Sequence, residues 1–196
     1  MKNLLEKLKS YHVLLASKSP RRRQLLKDMG IDFEMISKET DERFPQELIP
    51  EEVASYLSKK KSDAFSEAEM PDNYLLITAD TIVVAENAIL NKADNYQQAR
   101  QMLQSLSGKT HRVITGITLR SREKTISFSA QSEVSFKKLS QDEIDWYIQN
   151  YHPFDKAGAY GIQEWIGYIG VTSIKGSFYN VMGLPTHRLY EALIKF

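Results

Sequence analysis

At 196 residues, with 42% hydrophobic and 10% aromatic side chains, the chain has enough apolar mass for one domain, or for two small lobes sharing a sheet. Charged residues make up 26% and nearly cancel to +1, which removes the strongly basic surface that a nucleic-acid partner would want. There is no cysteine, which excludes a disulfide scaffold and thiolate zinc sites, and no segment approaches the roughly 18 apolar residues of a membrane span.

Residues 1–9 are basic and amphipathic without a continuous apolar stretch. They read as a short helix before the first strand, not as a signal peptide, and a soluble cytoplasmic protein is the expectation. The apolar run Val13-Leu14-Leu15-Ala16 reads as a strand that ends at Ser17-Lys18-Ser19-Pro20-Arg21-Arg22-Arg23. Ser19 suits a helix N-cap and Pro20 the first helical position, so a helix follows, with Gly30 as its stop. The turn gathers free backbone N–H groups, serine hydroxyls and arginines at one helix N-terminus, a site for phosphate. A solvated arginine face is the plainer alternative.

Residues 33–36 are a short strand candidate, followed by a polar loop that carries Asp41 and Glu42. Pro50-Glu51-Glu52 opens a helix that contains Lys59-Lys60-Lys61. Leu75-Leu76-Ile77-Thr78-Ala79 is a continuous apolar strand of the kind buried on both faces, and Asp80 stands at its end. Asn87 marks a turn, and Asp94 is expected to cap the next helix, which ends at Ser107-Gly108. Residues 111–119 and 125–136 form a long hairpin, and Ser140-Gln141-Asp142-Glu143 is a capping box. Short strands are expected around residues 169–171 and 178–181, then a final helix from Leu184-Pro185-Thr186. Helices and strands alternate around an antiparallel hairpin, so the fold class is α/β with a mixed sheet.

Asp80 carries the most chemistry. A carboxylate beside an apolar strand is costly unless it has a partner or a job. Either it caps a turn or pairs with an arginine, or it holds a divalent cation, activates water, or does both. Lys61 and Lys92 would neutralise phosphates if they faced the same place. Ser107-Gly108-Lys109-Thr110 imitates the end of a P-loop, but Leu103 stands where that motif needs glycine, and a helix precedes it. His12, His111, His152 and His187 are too widely spread to suggest a metal pair. An anion-binding turn, a strand carboxylate, further acids and scattered cations together suit hydrolysis of a phosphoanhydride.

Five stretches in order resemble the Maf (septum formation) family of nucleoside triphosphate pyrophosphatases. They are Leu15-Ala16-Ser17-Lys18-Ser19-Pro20-Arg21-Arg22, Ala79-Asp80-Thr81-Ile82-Val83, Ser107-Gly108-Lys109-Thr110-His111-Arg112-Val113-Ile114-Thr115-Gly116, Asp155-Lys156-Ala157-Gly158-Ala159-Tyr160-Gly161-Ile162-Gln163, and Val181-Met182-Gly183-Leu184-Pro185. The resemblance implies one Maf-like domain over 1–196: two lobes around a cleft, on an elongated mixed sheet with flanking helices, similar to inosine triphosphate pyrophosphatases. It implies cleavage between the α- and β-phosphates to a monophosphate and pyrophosphate, with Mg2+ or Mn2+, by a homodimer without nucleic-acid or membrane partners.

By the same resemblance Asp80 is the proton acceptor, and Glu42 and Asp80 hold the metal. Ser17, Ser19, Arg22, Lys61 (or Lys60, depending on alignment) and Lys92 hold phosphates. Arg21, Thr81 and Gln163 match the branch acting on dTTP and UTP. The chain departs from the family at Asn91-Lys92-Ala93 and at Glu164-Trp165-Ile166, and the second departure bears on substrate range. The alternative is a nucleotide-binding regulator of cell division with little hydrolysis, which would not need a water-activating carboxylate.

Overall fold

The computed structural model describes residues 2–196. Its framework is a seven-stranded mixed sheet in the order β2-β1-β3-β5-β6-β7, with β4 paired to β3. Strand β1 (His12–Ala16) runs parallel to β2 (Glu34–Ile36) and to β3 (Tyr74–Ala85), with Ala16 opposite Thr78. Strand β4 (Ala88–Leu90) turns back on β3 through Glu86 and Asn87, both at positive φ, as a tight two-residue hairpin requires. The long hairpin is formed by β5 (Thr110–Arg120) and β6 (Thr125–Phe136), and β6 also pairs antiparallel with β7 (Val171–Lys175). The α/β class with a mixed sheet is therefore as expected.

The helices are α1 (Lys2–Leu8), α2 (Pro20–Asp28), α3 (Pro50–Asp63), α4 (Tyr96–Leu106), α5 (Gln141–Tyr151), α6 (Trp165–Gly170), α7 (Phe178–Val181) and α8 (Thr186–Lys195). None is long and apolar enough among the described residues to cross a membrane. Three expectations are corrected. Asn95, not Asp94, caps α4, its side chain accepting from the Gln98 N–H. Residues 178–181 are a helical turn rather than a strand, because the Ser177 hydroxyl caps it and Asn180 is buried beneath it. Asp80 does not end its strand: β3 runs unbroken from Tyr74 to Ala85, with Asp80 inside it.

The chain divides into two compact units. The first comprises the chain up to Asp80, Thr115–Ala130 and Gly183–Phe196; the second comprises Thr81–Ile114 and Gln131–Met182. In the first, α3 lies against the sheet through a chain of buried hydroxyls. Thr78 Oγ1 donates to Ser58 O at 2.7 Å, and the Ser58 hydroxyl meets Thr118 Oγ1 at 2.9 Å. The approach is close enough that a Cβ on Gly116 would lie 2.1 Å from Ala54 O. The end of α3 is closed by buried Arg120, which donates to the carbonyls of Ser62 and Phe65 at 2.6 and 2.7 Å. A cation there answers the exposed carbonyls of a helix C-terminus.

In the second unit, Leu103 and Leu106 of α4, Ile144, Tyr147 and Ile148 of α5, and Val134 and Phe136 of β6 form the core, with Tyr160 and Ile162 packed among them. The Ser140 capping box that opens α5 is present, the Ser140 hydroxyl accepting from Glu143 N–H.

The contact at Gly116 yields a stability test. Gly116→Ala places a methyl into backbone that cannot rotate away. It should cost at least about 3 kcal/mol, the upper range for overpacking, and lower Tm by roughly 6–12 °C in a chain of this size. A thermal melt within about 2 °C of wild type would refute that close approach.

Candidate active site

In the first unit, local sequence and helix phase bring seven of the expected residues onto neighbouring elements. Ser17 leaves β1 buried, and its Oγ accepts from Ser19 N–H at 3.2 Å. Ser19 is the N-cap of α2, its hydroxyl accepting from Arg22 N–H at 3.5 Å, with Pro20 at the first helical position. The Ser-Pro-Arg turn is thus closed by its own hydroxyls, which holds its backbone in one shape.

Arg22 then ties this turn to two other segments. Its Nε donates to Gly183 O at 2.8 Å and its Nη1 to Ala79 O at 2.8 Å, while Ser17 Oγ lies 3.4 Å from the same nitrogen. Burial lowers the affinity of this guanidinium for its proton; the charge of Asp80 opposes that, Arg21 reinforces it and Glu42 opposes it again. Arg21 is half-buried on the same first turn of α2, and Arg23 is exposed.

Asp80 is 7% exposed. Its neighbour is Lys61, whose Nζ donates both to Asp80 Oδ1 and, at 2.9 Å, to Glu42 Oε1. The pairing follows from the hydroxyl lock between α3 and β3. Ser58 and Lys61 stand one helical turn apart on one face of α3, and Thr78 and Asp80 share one face of β3. Once Thr78 is bonded to Ser58 O, Lys61 is the lysine of the run that reaches Asp80. Lys60 instead donates to Arg43 O at 2.9 Å and lies 3.6 Å from Asp41.

Two carboxylates gathered around one ammonium also bring close together the oxygen ligands that a hard divalent cation takes. Among the described residues no set of three or more His, Asp and Glu side chains gathers around a point. An ion held by Glu42 and Asp80 would complete its shell with water and phosphate oxygens, as Mg2+ commonly does.

The remaining expected residues belong to the second unit. Thr81 follows Asp80 in β3 and is half-buried. Lys92 is exposed, and its backbone bridges Ala157 while Gly158 N–H donates to Asn91 O. Gln163 is half-buried. Its Nε2 lies 3.5 Å from Glu164 Oε1, and its buried Oε1 has no hydrogen-bond partner.

Sequence reasoning did not find the polar cluster around Glu164. Lys156, nearly fully buried, meets Glu164 Oε1 at 3.1 Å and Asp155 Oδ1 at 2.7 Å. Tyr147 donates its hydroxyl to Glu164 Oε2 and accepts from Gly161 N–H at 2.9 Å. Burial first, and then Glu164, raises the Tyr147 phenol above its ordinary value. The signal available in the sequence was the departure at Glu164 itself. A second buried pair, His111 Nε2 and the Tyr160 hydroxyl at 2.7 Å, supports the glycine-rich segment from below.

Residues 12–196 match the family of Maf-like proteins. The chain belongs to the Maf family. It is 49% identical over 195 residues to a dTTP/UTP pyrophosphatase of Porphyromonas gingivalis, with 98% of each chain covered. It is 50% identical over 193 residues to one from Phocaeicola vulgatus, covering 98% of this chain and 100% of the relative. A third, from Flavobacterium johnsoniae, is 47% identical over 190 residues, with 97% of each covered. Among solved structures the Staphylococcus aureus Ham1 protein matches with a TM-score of 0.52 at 15% identity, over 92% of this chain and 99% of that one, which shows a shared fold.

In this Maf chain, burial holds the His111 imidazole down at about 4. Its folded value lies below the unfolded value of about 6.5, so the fold favours the neutral ring. The unfolded chain therefore binds the extra proton between those values. The stabilisation is complete above about pH 6.5 and is lost as pH falls towards 4. Between pH 7 and 4.5 the difference is worth about 2–3 kcal/mol. Chemical denaturation of wild type and His111→Gln at both pH values should show the pH-dependent loss reduced by about that amount in the variant. An unchanged loss would remove His111 from the account.

Proposed function

We propose that this chain hydrolyses nucleoside triphosphates, dTTP and UTP foremost, between the α- and β-phosphates, releasing the monophosphate and pyrophosphate. The observation that carries the reading is the buried Asp80 carboxylate held against Lys61, which also donates to Glu42, with Arg22 bonded to the adjacent Ala79 carbonyl. The choice of substrate is supported by the curated relatives, which are named dTTP/UTP pyrophosphatases.

Asp80 is the general base. It takes a proton from the water that adds to phosphorus at the α–β bridge, and the bridging oxygen leaves with one of the two products. Lys61 has three donors, two of them committed to Glu42 and Asp80, and the third serves a phosphate oxygen. Ser17, Ser19 and Arg22 hold the phosphate chain at the start of α2, where backbone N–H groups and the helix dipole favour anions. Lys92 adds charge from its exposed position. Arg21, Thr81 and Gln163 select the base. Glu42 and Asp80 would hold a Mg2+ or Mn2+ ion, which would supply charge neutralisation of the phosphate oxygens. In the cell this reading takes the chain as a cytoplasmic homodimer that binds nucleotides and neither nucleic acid nor membrane.

The test is release of pyrophosphate from dTTP or UTP by purified protein with Mg2+ or Mn2+. Activity should vanish with a chelator and return when the metal is restored. Asp80→Asn keeps the shape of the side chain and removes the base, so kcat should fall by about 10²-fold or more. Turnover at the wild-type rate in that variant would remove Asp80 from the role, and absence of turnover on every triphosphate would sink the reading.

A further inference from the structure

The Gln163 amide presents a question of orientation. An amide on its own can offer either end to a ligand. Here the Glu164 carboxylate lies on one side of it, with Glu164 Oε1 3.5 Å from Nε2, at the outer limit of a hydrogen bond. Even at that distance the charge decides which end faces it: the amide oxygen would be repelled and the N–H2 end attracted. The opposite end, Oε1, is buried and unpaired. An acceptor in that state is unfavourable until a donor reaches it.

Glu164 cannot easily turn away. Lys156 holds its Oε1 at 3.1 Å, and the Tyr147 hydroxyl donates to its Oε2. Lys156 is itself 7% exposed and Tyr147 is fully buried, so the carboxylate is held by groups that do not move with solvent. The backbone beneath makes room for the arrangement. A Cβ on Gly161 would lie 2.7 Å from Glu164 Cδ and 2.9 Å from Gln163 Nε2, so a side chain there would push these two aside. Trp165, the next residue, packs its ring 4.4 Å from that of Trp146 and anchors the start of α6.

We infer that Glu164 is a positioning residue for base choice: it turns the Gln163 amide so that the carbonyl oxygen is presented to the N–H of an imide base. This rests on the triphosphate hydrolysis proposed above. Uracil and thymine carry an N–H donor between two carbonyls, whereas cytosine carries a bare acceptor at that ring position. An amide fixed with its oxygen forward accepts from the imide and faces cytosine acceptor to acceptor. A site built to hydrogen-bond one edge rejects the analogue lacking it more strongly than apolar contacts would.

The experiment compares kcat/KM for UTP and CTP in wild type and in Glu164→Gln. A glutamine at 164 can present either of its own ends, so the Gln163 amide is no longer held in one orientation. The UTP:CTP ratio should fall by about ten-fold, chiefly through KM, with kcat on UTP changed by less than about three-fold. A purely structural role would lower both substrates together and leave the ratio alone. Tyr147→Phe, which removes only the hydroxyl that steadies Glu164, should move the ratio in the same direction and carries the test if Glu164→Gln does not fold. Wild type that turns over no triphosphate defeats the proposed hydrolysis. Wild type that prefers UTP, with both folded variants keeping its ratio, overturns the role of Glu164 alone.

Discussion

The organising constraint is a carboxylate placed inside an apolar strand. Asp80 lies in the middle of β3 among buried neighbours, where an ion is tolerated only with a partner close by. The partner is Lys61, and what delivers it is helix packing. Gly116 lets α3 approach the sheet to the limit that a missing side chain permits, and the Thr78–Ser58–Thr118 hydroxyl chain fixes the phase of the helix at that distance. Charge pairing is thus the consequence of a contact two or three residues away that carries no charge. A larger residue at 116 would push the helix out and leave Asp80 buried without its cation, a far greater penalty than an exposed pair could incur.

Arg22 solves a related problem with backbone atoms. It spends two donors on carbonyls, one from Ala79 in β3 and one from Gly183 before α8. A part-buried guanidinium bonded in this way is a structural tie as well as a charge, and it holds the first turn of α2 beside the residue that precedes Asp80. Arginine fits because its planar fork reaches two fixed acceptors at once, which a lysine ammonium on a flexible stem does less well. The Ser-Pro-Arg turn and the Asp80 carboxylate are therefore registered to each other through the Arg22 side chain.

Legibility followed locality. The Ser19 cap, Pro20 at the helix start and the Ser140 capping box were readable because their hydrogen bonds close within three residues. Asp80 was readable as a chemical anomaly, but its position was misplaced to a strand end, since an acid inside a strand contradicts the usual pattern unless a cation such as Lys61 meets it. Choosing Lys61 over Lys60 needed the phase of α3 against β3, which is tertiary information. Residues 178–181, aromatic-rich, favoured a strand by propensity, and a cap from Ser177 with a buried Asn180 overrode that. The Lys156–Glu164–Tyr147 cluster joins side chains 8 and 17 residues from Glu164, and no local spacing announces it.

The charge of the first unit's cluster also bears on why the proposed reaction would call for a divalent ion. Arg21, Arg22 and Lys61 are offset by Glu42 and Asp80, so the cluster is close to neutral, one cation in excess. A triphosphate brings roughly four negative charges, and more accumulate on the bridging oxygen as the bond breaks. One excess protein cation falls well short of that load. Glu42 and Asp80, two carboxylates gathered around Lys61, are suited to bring in the missing positive charge from outside the chain. Two acids beside the Ser-Pro-Arg turn would be a defect in a protein that only bound anions; under the proposed cleavage with a metal ion they would be the means of supplying it.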